Sequence, residues 1–250
     1  SYFFALSFAA MFGILLDLGL SPALVREGAR DETNRQRQLI SILSVKFPLA
    51  VFVLLVIFAV VSLSGYETER RDLVMVAALV MIFDSFHLTL YAALRSMQKF
   101  QYEAGGVLLG QICTMIFGLT VLFFNQSLFW LIGALGVGSF LNVLWSFWWL
   151  RKNKINFTWR ESLKNFQLIK PLIIAALPFA LAALFTRLWT SLDSVILTYF
   201  QGNEAVGFWS VPYKLVFAFQ FIPSALSGAL FPAVSAKYGQ TRVSQDQVFP

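Results

Sequence analysis

Apolar residues occur along the chain in seven long stretches, and short polar segments separate them. A helix that crosses a bilayer needs about 20 mostly apolar residues, and each stretch meets that standard. Because the hydrocarbon core offers no partner to an open backbone, each stretch is predicted to be an α-helix. The seven predicted spans are Tyr2–Leu24, Leu39–Leu63, Leu73–Leu94, Gly106–Phe124, Leu128–Leu150, Pro171–Phe200 and Phe208–Val234.

The composition supports an all-α polytopic membrane protein. Hydrophobic residues make up 58% of the chain and charged residues only 13%, whereas soluble domains average about 25% charged. Most of the 19 Lys and Arg residues fall in the loops after the first, third, fifth and seventh spans, while the opposite loops hold only Arg70 and Arg71. The first set of loops is therefore predicted to be cytoplasmic. The net charge of +6 reflects this topology and contact with anionic lipid, not nucleic-acid binding.

The spans predict an organisation in three parts. Residues 1–150 are expected to form a first helical bundle, and residues 171–250 the start of a second one. Residues 151–170 form a cytoplasmic linker, either a short amphipathic helix on the membrane surface or an irregular solvated segment. The chain begins inside an apolar run without Met, so we expect that at least one helix precedes Ser1.

Four polar side chains of the third span share one helical face: Asp84, His87, Tyr91 and Arg95. Ionisable residues inside membrane helices usually face a cavity or a partner. We expect this face to line a hydrophilic cavity, with an interhelical hydrogen-bond clasp as the alternative. His87 is the only histidine, and with Asp84 it could form a proton site because histidine titrates near neutral pH.

The sixth span carries a second polar stripe with Arg187, Thr190 and Ser191, and Asp193 follows near the predicted outer surface. Arginine keeps its charge, so burying Arg187 requires an anion, a carboxylate or water. Binding of a phosphate-like anion and an ion pair with another helix both remain open. Lys214 in the seventh span could either snorkel to the outer surface or contact substrate.

Other residues are expected to have structural roles. Asp17, in the sequence DLGLSP, is predicted to cap a broken helix end, and Lys46 to lie near the cytoplasmic interface. Gly133 and Gly136 are expected to permit close helix packing. The single cysteine, Cys113, excludes a disulfide framework and a cysteine-based metal site. The sequence has no phosphate-binding glycine loop, zinc-ligand cluster or nucleophile–His–acid arrangement, so no enzyme activity, metal or cofactor is predicted.

Three sequence stretches resemble one family, the bacterial polysaccharide flippases of the MOP superfamily, which includes O-antigen, teichoic-acid and exopolysaccharide translocases. Their order and spacing match helices two to eight of that family. The stretches are Asp17–Asp31 (DLGLSPALVREGARD), Leu192–Gly207 with its LDSVIL and GNEAVG segments, and Ile222-Pro223 with Ala229–Pro232.

The resemblance implies a two-bundle transporter of the bacterial cytoplasmic membrane. Its substrate would be a polyprenyl-diphosphate-linked oligosaccharide, moved to the outer leaflet by alternating access, and other polysaccharide assembly proteins could be partners. Arg187 and Lys214 are the candidate cations for the diphosphate. Further candidate substrate-binding residues are Tyr91, Thr190 and Ser191. The candidate residues for coupling transport to a proton or sodium gradient are Asp84, His87 and Asp193.

Three other interpretations remain. The first is an exporter of drugs or of the peptidoglycan lipid precursor, although a drug exporter should prefer acidic cavity residues over Arg187 and Lys214. The second is a membrane-bound polysaccharide polymerase or glycosyltransferase, which the short predicted outer loops disfavour. The third is a scaffold without transport activity.

Overall fold

In the computed structural model, the chain forms α-helices, and no strand occurs among the residues described. These residues are 2–64, 68–124, 127–155, 170–186, 222–232 and short pieces at 200, 212, 215–216, 218–220 and 234–235. The first six helices are α1 (Tyr2–Asp17), α2 (Leu20–Arg30), α3 (Arg35–Leu63), α4 (Thr68–Ser96), α5 (Phe100–Phe124) and α6 (Leu128–Lys152). Two shorter apolar helices follow, α7 (Lys170–Thr186) and α8 (Ile222–Pro232).

Four of these helices, α3 to α6, are long and apolar enough to cross a membrane. They correspond to the second to fifth predicted spans, and each contains the whole predicted range. Each is a continuous helix, the form that hydrocarbon requires of a spanning segment. The prediction of an all-α polytopic membrane protein is therefore confirmed.

The first predicted span is wrong as one continuous helix, because the chain breaks after Asp17. Leu18 has a φ of 43° and Gly19 a φ of 74°, so neither continues the right-handed helix. Gly19 also lies close to α7, and a Cβ atom there would be 2.6 Å from the backbone oxygen of Ala176. Glycine suits this position because it adopts a left-handed φ without penalty and has no side chain. The break leaves α1 with 16 residues and α2 with 11.

The last two predicted spans are described only in part. The helix α7 occupies the first half of the sixth span, and α8 lies within the seventh. The amphipathic linker lies largely at residues 156–169, outside the described residues. The division into two bundles stays a prediction.

The helix α4 lies at the centre of the described helices and contacts α1, α2, α3, α5 and α6. In the most apolar 18-residue stretch of α4, 56% of the residues are buried, whereas in that of α5 only 6% are. Large side chains such as Leu73, Tyr91 and Leu94 of α4 are almost fully enclosed. The helix α5 therefore packs mainly on α6 and presents the rest of its apolar surface to lipid.

Glycines bring α5 and α6 close together. Gly106 and Gly110 of α5 have the small-xxx-small spacing that favours close contact in membranes. A Cβ at Gly138 of α6 would lie 2.9 Å from the Gly110 carbonyl oxygen. Of the two glycines expected at such contacts, Gly136 faces Val80, whereas a Cβ at Gly133 would meet no described residue within 4 Å. Within the described part of the chain, the packing role is therefore seen for Gly136 and not for Gly133.

Candidate functional site

A cavity of about 540 Å³ lies between the α1–α2 break, α4 and α7. Its size is within the range of small-molecule sites, about 300–1,000 Å³. Most of its wall is apolar, including Leu88 of α4 and Leu181 of α7. Two carboxylates line it as well, Asp17 from the break and Asp84 from α4, and Ser85 lies beside Asp84. The cavity can therefore contact both apolar and polar parts of a ligand.

Asp84 and His87, the predicted ion-coupling pair, lie together on α4. The Asp84 side chain is 47% exposed, and Asp84 Oδ1 accepts a hydrogen bond of 2.5 Å from Ser139 Oγ of α6. His87 Nδ1 is 3.6 Å from the same oxygen, too far for a hydrogen bond but within ion-pair distance. The pair therefore places a water-accessible carboxylate on the cavity wall with a mostly buried imidazole beside it.

The other half of the predicted α4 stripe does not line the cavity. Tyr91 is fully buried, and its hydroxyl donates a 2.6 Å hydrogen bond to Asn142 Oδ1 of α6. Arg95 Nε lies 3.0 Å from Glu103 Oε2 of α5. A substrate would reach Tyr91 only if α4 and α6 separated. Of the expected stripe only Asp84 lines the cavity, whose wall is mostly apolar rather than hydrophilic, and Tyr91 forms the interhelical clasp that was the alternative.

A buried cluster that the sequence analysis missed lies behind the cavity wall, around Lys46. The Lys46 side chain is only 1% exposed, and Nζ donates to Asp17 Oδ1 at 2.8 Å. It also donates to Thr89 Oγ1 at 2.6 Å, and it lies 3.0 Å from Oγ and 3.1 Å from the carbonyl oxygen of Ser85. Asp17 Oδ1 accepts a further bond of 2.5 Å from the hydroxyl of Ser21. The expected cap is not formed, because Gly19 is the N-cap of α2 and no side chain accepts a backbone N–H there.

The position of Lys46 corrects the expectation that it lies at the cytoplasmic interface. The helix α3 begins at Arg35, so Lys46 lies about 16 Å along its axis, at about 1.5 Å per residue. Side-chain oxygens from α1 and α4 enclose its ammonium group there. The sequence did indicate such a site, because a lysine within an apolar span usually pairs with an acidic side chain or with backbone carbonyls.

Five predicted site residues lie outside the described residues, so their roles stay predictions: Arg187, Thr190, Ser191, Asp193 and Lys214. Among the residues described, no group of three or more His, Cys, Asp or Glu side chains could hold a metal ion.

The Asp31 carboxylate holds the turn between α2 and α3, at the predicted cytoplasmic surface, through hydrogen bonds. The Thr33 hydroxyl donates to Asp31 Oδ1 at 2.6 Å, and Asn34 Nδ2 donates to Oδ2 at 2.6 Å. These side-chain hydrogen bonds, first from Thr33 and then from Asn34, lower the pKa of Asp31 below its ordinary value, since they favour the charged form. This turn sets the angle between α2 and the helix that carries Lys46.

Comparison with known proteins assigns the family. The family model described as "Polysaccharide biosynthesis protein" matches residues 1–237. No significant match was found among curated proteins or among solved structures. The matched range includes nearly the whole chain, and it contains both the cavity and the Lys46 cluster. The resemblance is thereby confirmed, and the chain belongs to the polysaccharide biosynthesis protein family, the group of membrane flippases that its motifs resemble.

Proposed function

We propose that this protein translocates a polyprenyl-diphosphate-linked oligosaccharide, such as an O-antigen or other surface-polysaccharide repeat unit, across the bacterial cytoplasmic membrane. It would act by alternating access, from the cytoplasmic to the outer leaflet. The observation that carries the proposal is a mixed polar and apolar cavity among membrane helices, in a chain of the polysaccharide biosynthesis family.

The chemistry of such a ligand fits the two kinds of cavity wall. Sugar hydroxyls can donate to the exposed Asp84 carboxylate and exchange hydrogen bonds with Ser85. The isoprenoid tail prefers the apolar side, where Leu177, Leu181 and Leu184 of α7 line the cavity.

A diphosphate needs cations, and the sequence supplies two candidates in the sixth and seventh predicted spans. Arg187 follows Leu184 by three residues in the predicted sixth span, and this spacing would bring it to the same helical face. We therefore keep Arg187 and Lys214 as the diphosphate ligands in this proposal, with Thr190 and Ser191 beside Arg187. An ion gradient would drive the cycle through Asp84 and His87.

The test follows lipid-linked oligosaccharide in the native host. Its exposure on the outer leaflet would be measured with the full-length gene intact, deleted, or carrying Asp84→Asn or Arg187→Ala. Arg71→Ala is the matched control, because Arg71 is 41% exposed at the opposite end of α4. We expect cytoplasmic-leaflet accumulation after deletion and in both site variants, and normal exposure in the control. Unchanged exposure after deletion would reject the flippase function.

A second candidate, export of a cationic compound, is favoured by one observation. The charged side chains that line the cavity within the described residues are both carboxylates, Asp17 and Asp84. A carboxylate-lined site attracts a cation more readily than a diphosphate. In this case the deletion strain would become sensitive to cationic dyes while its lipid-linked oligosaccharide kept its normal distribution.

A further inference from the structure

The Asp17–Lys46 ion pair joins the end of α1 to α3. Asp17 is the last residue of α1, directly before the left-handed pair Leu18 and Gly19. Lys46 lies two residues before Pro48, the proline inside the continuous helix α3. A proline removes a backbone hydrogen bond and permits a helix to bend. The ion pair therefore lies at the break between α1 and α2 and beside the one proline of α3.

All three protons of the Lys46 ammonium can be used in this site. The acceptors are Asp17 Oδ1, Thr89 Oγ1 and the two oxygens of Ser85, at 2.6–3.1 Å. A neutral amine donates only two protons and no longer carries the charge that attracts the Asp17 carboxylate. The strength of the contact between α3 and its neighbours α1 and α4 thus depends on the protonation of Lys46.

The pair also has a route to water. The Asp17 side chain is 30% exposed and lines the cavity, while Lys46 behind it is 1% exposed. Ser85 also contacts Nζ and lines the cavity, but the Asp17 carboxylate, 2.8 Å away, is the stronger base, so a proton leaving Nζ would pass to Asp17. Stability alone is a weak reason for such a pair, because apolar residues of similar volume often stabilise a buried site as well or better.

We propose that Asp17 and Lys46 form a proton-binding site that couples proton release to movement of the α1–α2 break. The proton moves from Lys46 Nζ to Asp17 Oδ1, which gives a neutral amine and a carboxylic acid. The acid then releases the proton to the cavity and returns to a carboxylate, so the site loses one proton and one positive charge. This inference rests on the proposed transport function and names a coupling site that the Asp84–His87 pair does not include.

The charged groups around Lys46 are consistent with this direction of transfer. From α1 the facing group is the Asp17 carboxylate, and from α4 His87 interacts electrostatically with Lys46. From α2 the nearest polar group is Ser21, whose Oγ is 3.3 Å from Thr89 Oγ1. The charged residues of α2 pair with one another further along that helix, Arg26 and Arg30 with Glu27. Asp17 is therefore the acceptor through which Lys46 reaches the cavity.

The experiment uses the full-length protein in two assays. Lys46→Arg keeps the positive charge but cannot release a proton, because arginine stays protonated. The double variant Asp17→Asn/Lys46→Gln removes both charges and keeps hydrogen-bonding groups. The control is Arg95→Gln/Glu103→Gln, which removes another interhelical ion pair, away from the cavity.

The first assay measures proton release by purified protein in detergent across the neutral pH range. We expect wild type and the control to release one proton more than Lys46→Arg and the double variant. Equal release by all four proteins would overturn the proposal, even if the protein transports no oligosaccharide.

The second assay measures translocation of lipid-linked oligosaccharide into proteoliposomes under an imposed pH or sodium gradient. We expect the pH gradient to stimulate wild type and the control, and the stimulation to be lost in both Lys46 variants. A pH response that survives in both variants, or a response to sodium alone, would overturn the proposal while leaving the flippase function intact. Absence of any translocation by wild type would reject the flippase function itself, and the proton-release assay would still decide the proton site.

Discussion

Replacing Gly138 with alanine should destabilise the contact between α5 and α6, whereas the same change at Gly133 of the same helix should not. A Cβ at Gly138 would lie 2.1 Å from Thr114 Oγ1 and 2.9 Å from the Gly110 carbonyl oxygen. The threonine can rotate away, but the carbonyl belongs to the backbone, so the two helices must move apart by a few tenths of an ångström. A Cβ at Gly133 would have no described residue within 4 Å.

The magnitude follows from the difference between the two variants. Alanine favours a helix over glycine by about 1 kcal/mol, and this gain is common to both positions. The difference in free energy of unfolding therefore isolates the overpacking at Gly138, about 1–3 kcal/mol. For a chain of this size, each kcal/mol lowers the unfolding midpoint by about 2–4 °C.

The assay is thermal unfolding of the purified full-length variants in one detergent, followed by tryptophan fluorescence. Trp145 lies on α6 beside Gly106 of α5, so its emission reports on this contact. We expect Gly138→Ala to melt below Gly133→Ala by several degrees. Equal midpoints, or a lower midpoint for Gly133→Ala, would refute the packing argument.

Three further predictions concern single contacts. Tyr91→Phe leaves Asn142 Oδ1 without its buried donor and should lower the free energy of unfolding by about 1 kcal/mol in the same assay. Adding Asn142→Leu to this variant should lower the free energy of unfolding little further. Gly19→Ala should destabilise more than Gly133→Ala because of the left-handed φ and the backbone of α7, and an equal midpoint would contradict this. The pKa of Asp31 is lower in the folded protein than in the unfolded chain, where it is about 3.9. The carboxylate therefore stabilises the fold at pH values above about 3.9, and this effect is lost as the pH falls through the pKa of the folded protein. Asp31→Asn should therefore cost about 1 kcal/mol or less at neutral pH and nothing in acid, as unfolding midpoints at both pH values would show.

The hydrophobic pattern predicted the central helices well. For α3 to α6 the apolar runs are long, so the requirement to pair backbone groups in lipid favours one outcome. The apolar pattern alone did not show the break after Asp17, because Leu18 and Leu20 are as apolar as the helix around them, but the DLGLSP sequence predicted a broken helix end there, and this is confirmed. The break depends on the left-handed backbone at Gly19 and on its contact with α7, both of which are properties of the folded chain.

The candidate site was predicted in part for a similar reason. Helical spacing placed Asp84 and Tyr91 on one face, but spacing along one helix does not say which neighbour each residue meets. Asp84 faces the cavity, and Tyr91 meets Asn142. Lys46 and Asp17 are separated by 29 positions, and only the packing of α3 on α1 brings them together.

The length of α4 has a consequence for the surrounding lipid. From Arg71 to Arg95 its axis is about 36 Å long at about 1.5 Å per residue, whereas the hydrocarbon core is about 30 Å thick. No proline interrupts α4, so we expect the mismatch to be met by some tilt of the whole helix rather than by a kink. A thinner membrane would increase this tilt and carry the cavity wall with it. Lipid chain length should therefore change the tilt of α4 and the position of the cavity wall, independently of headgroup charge.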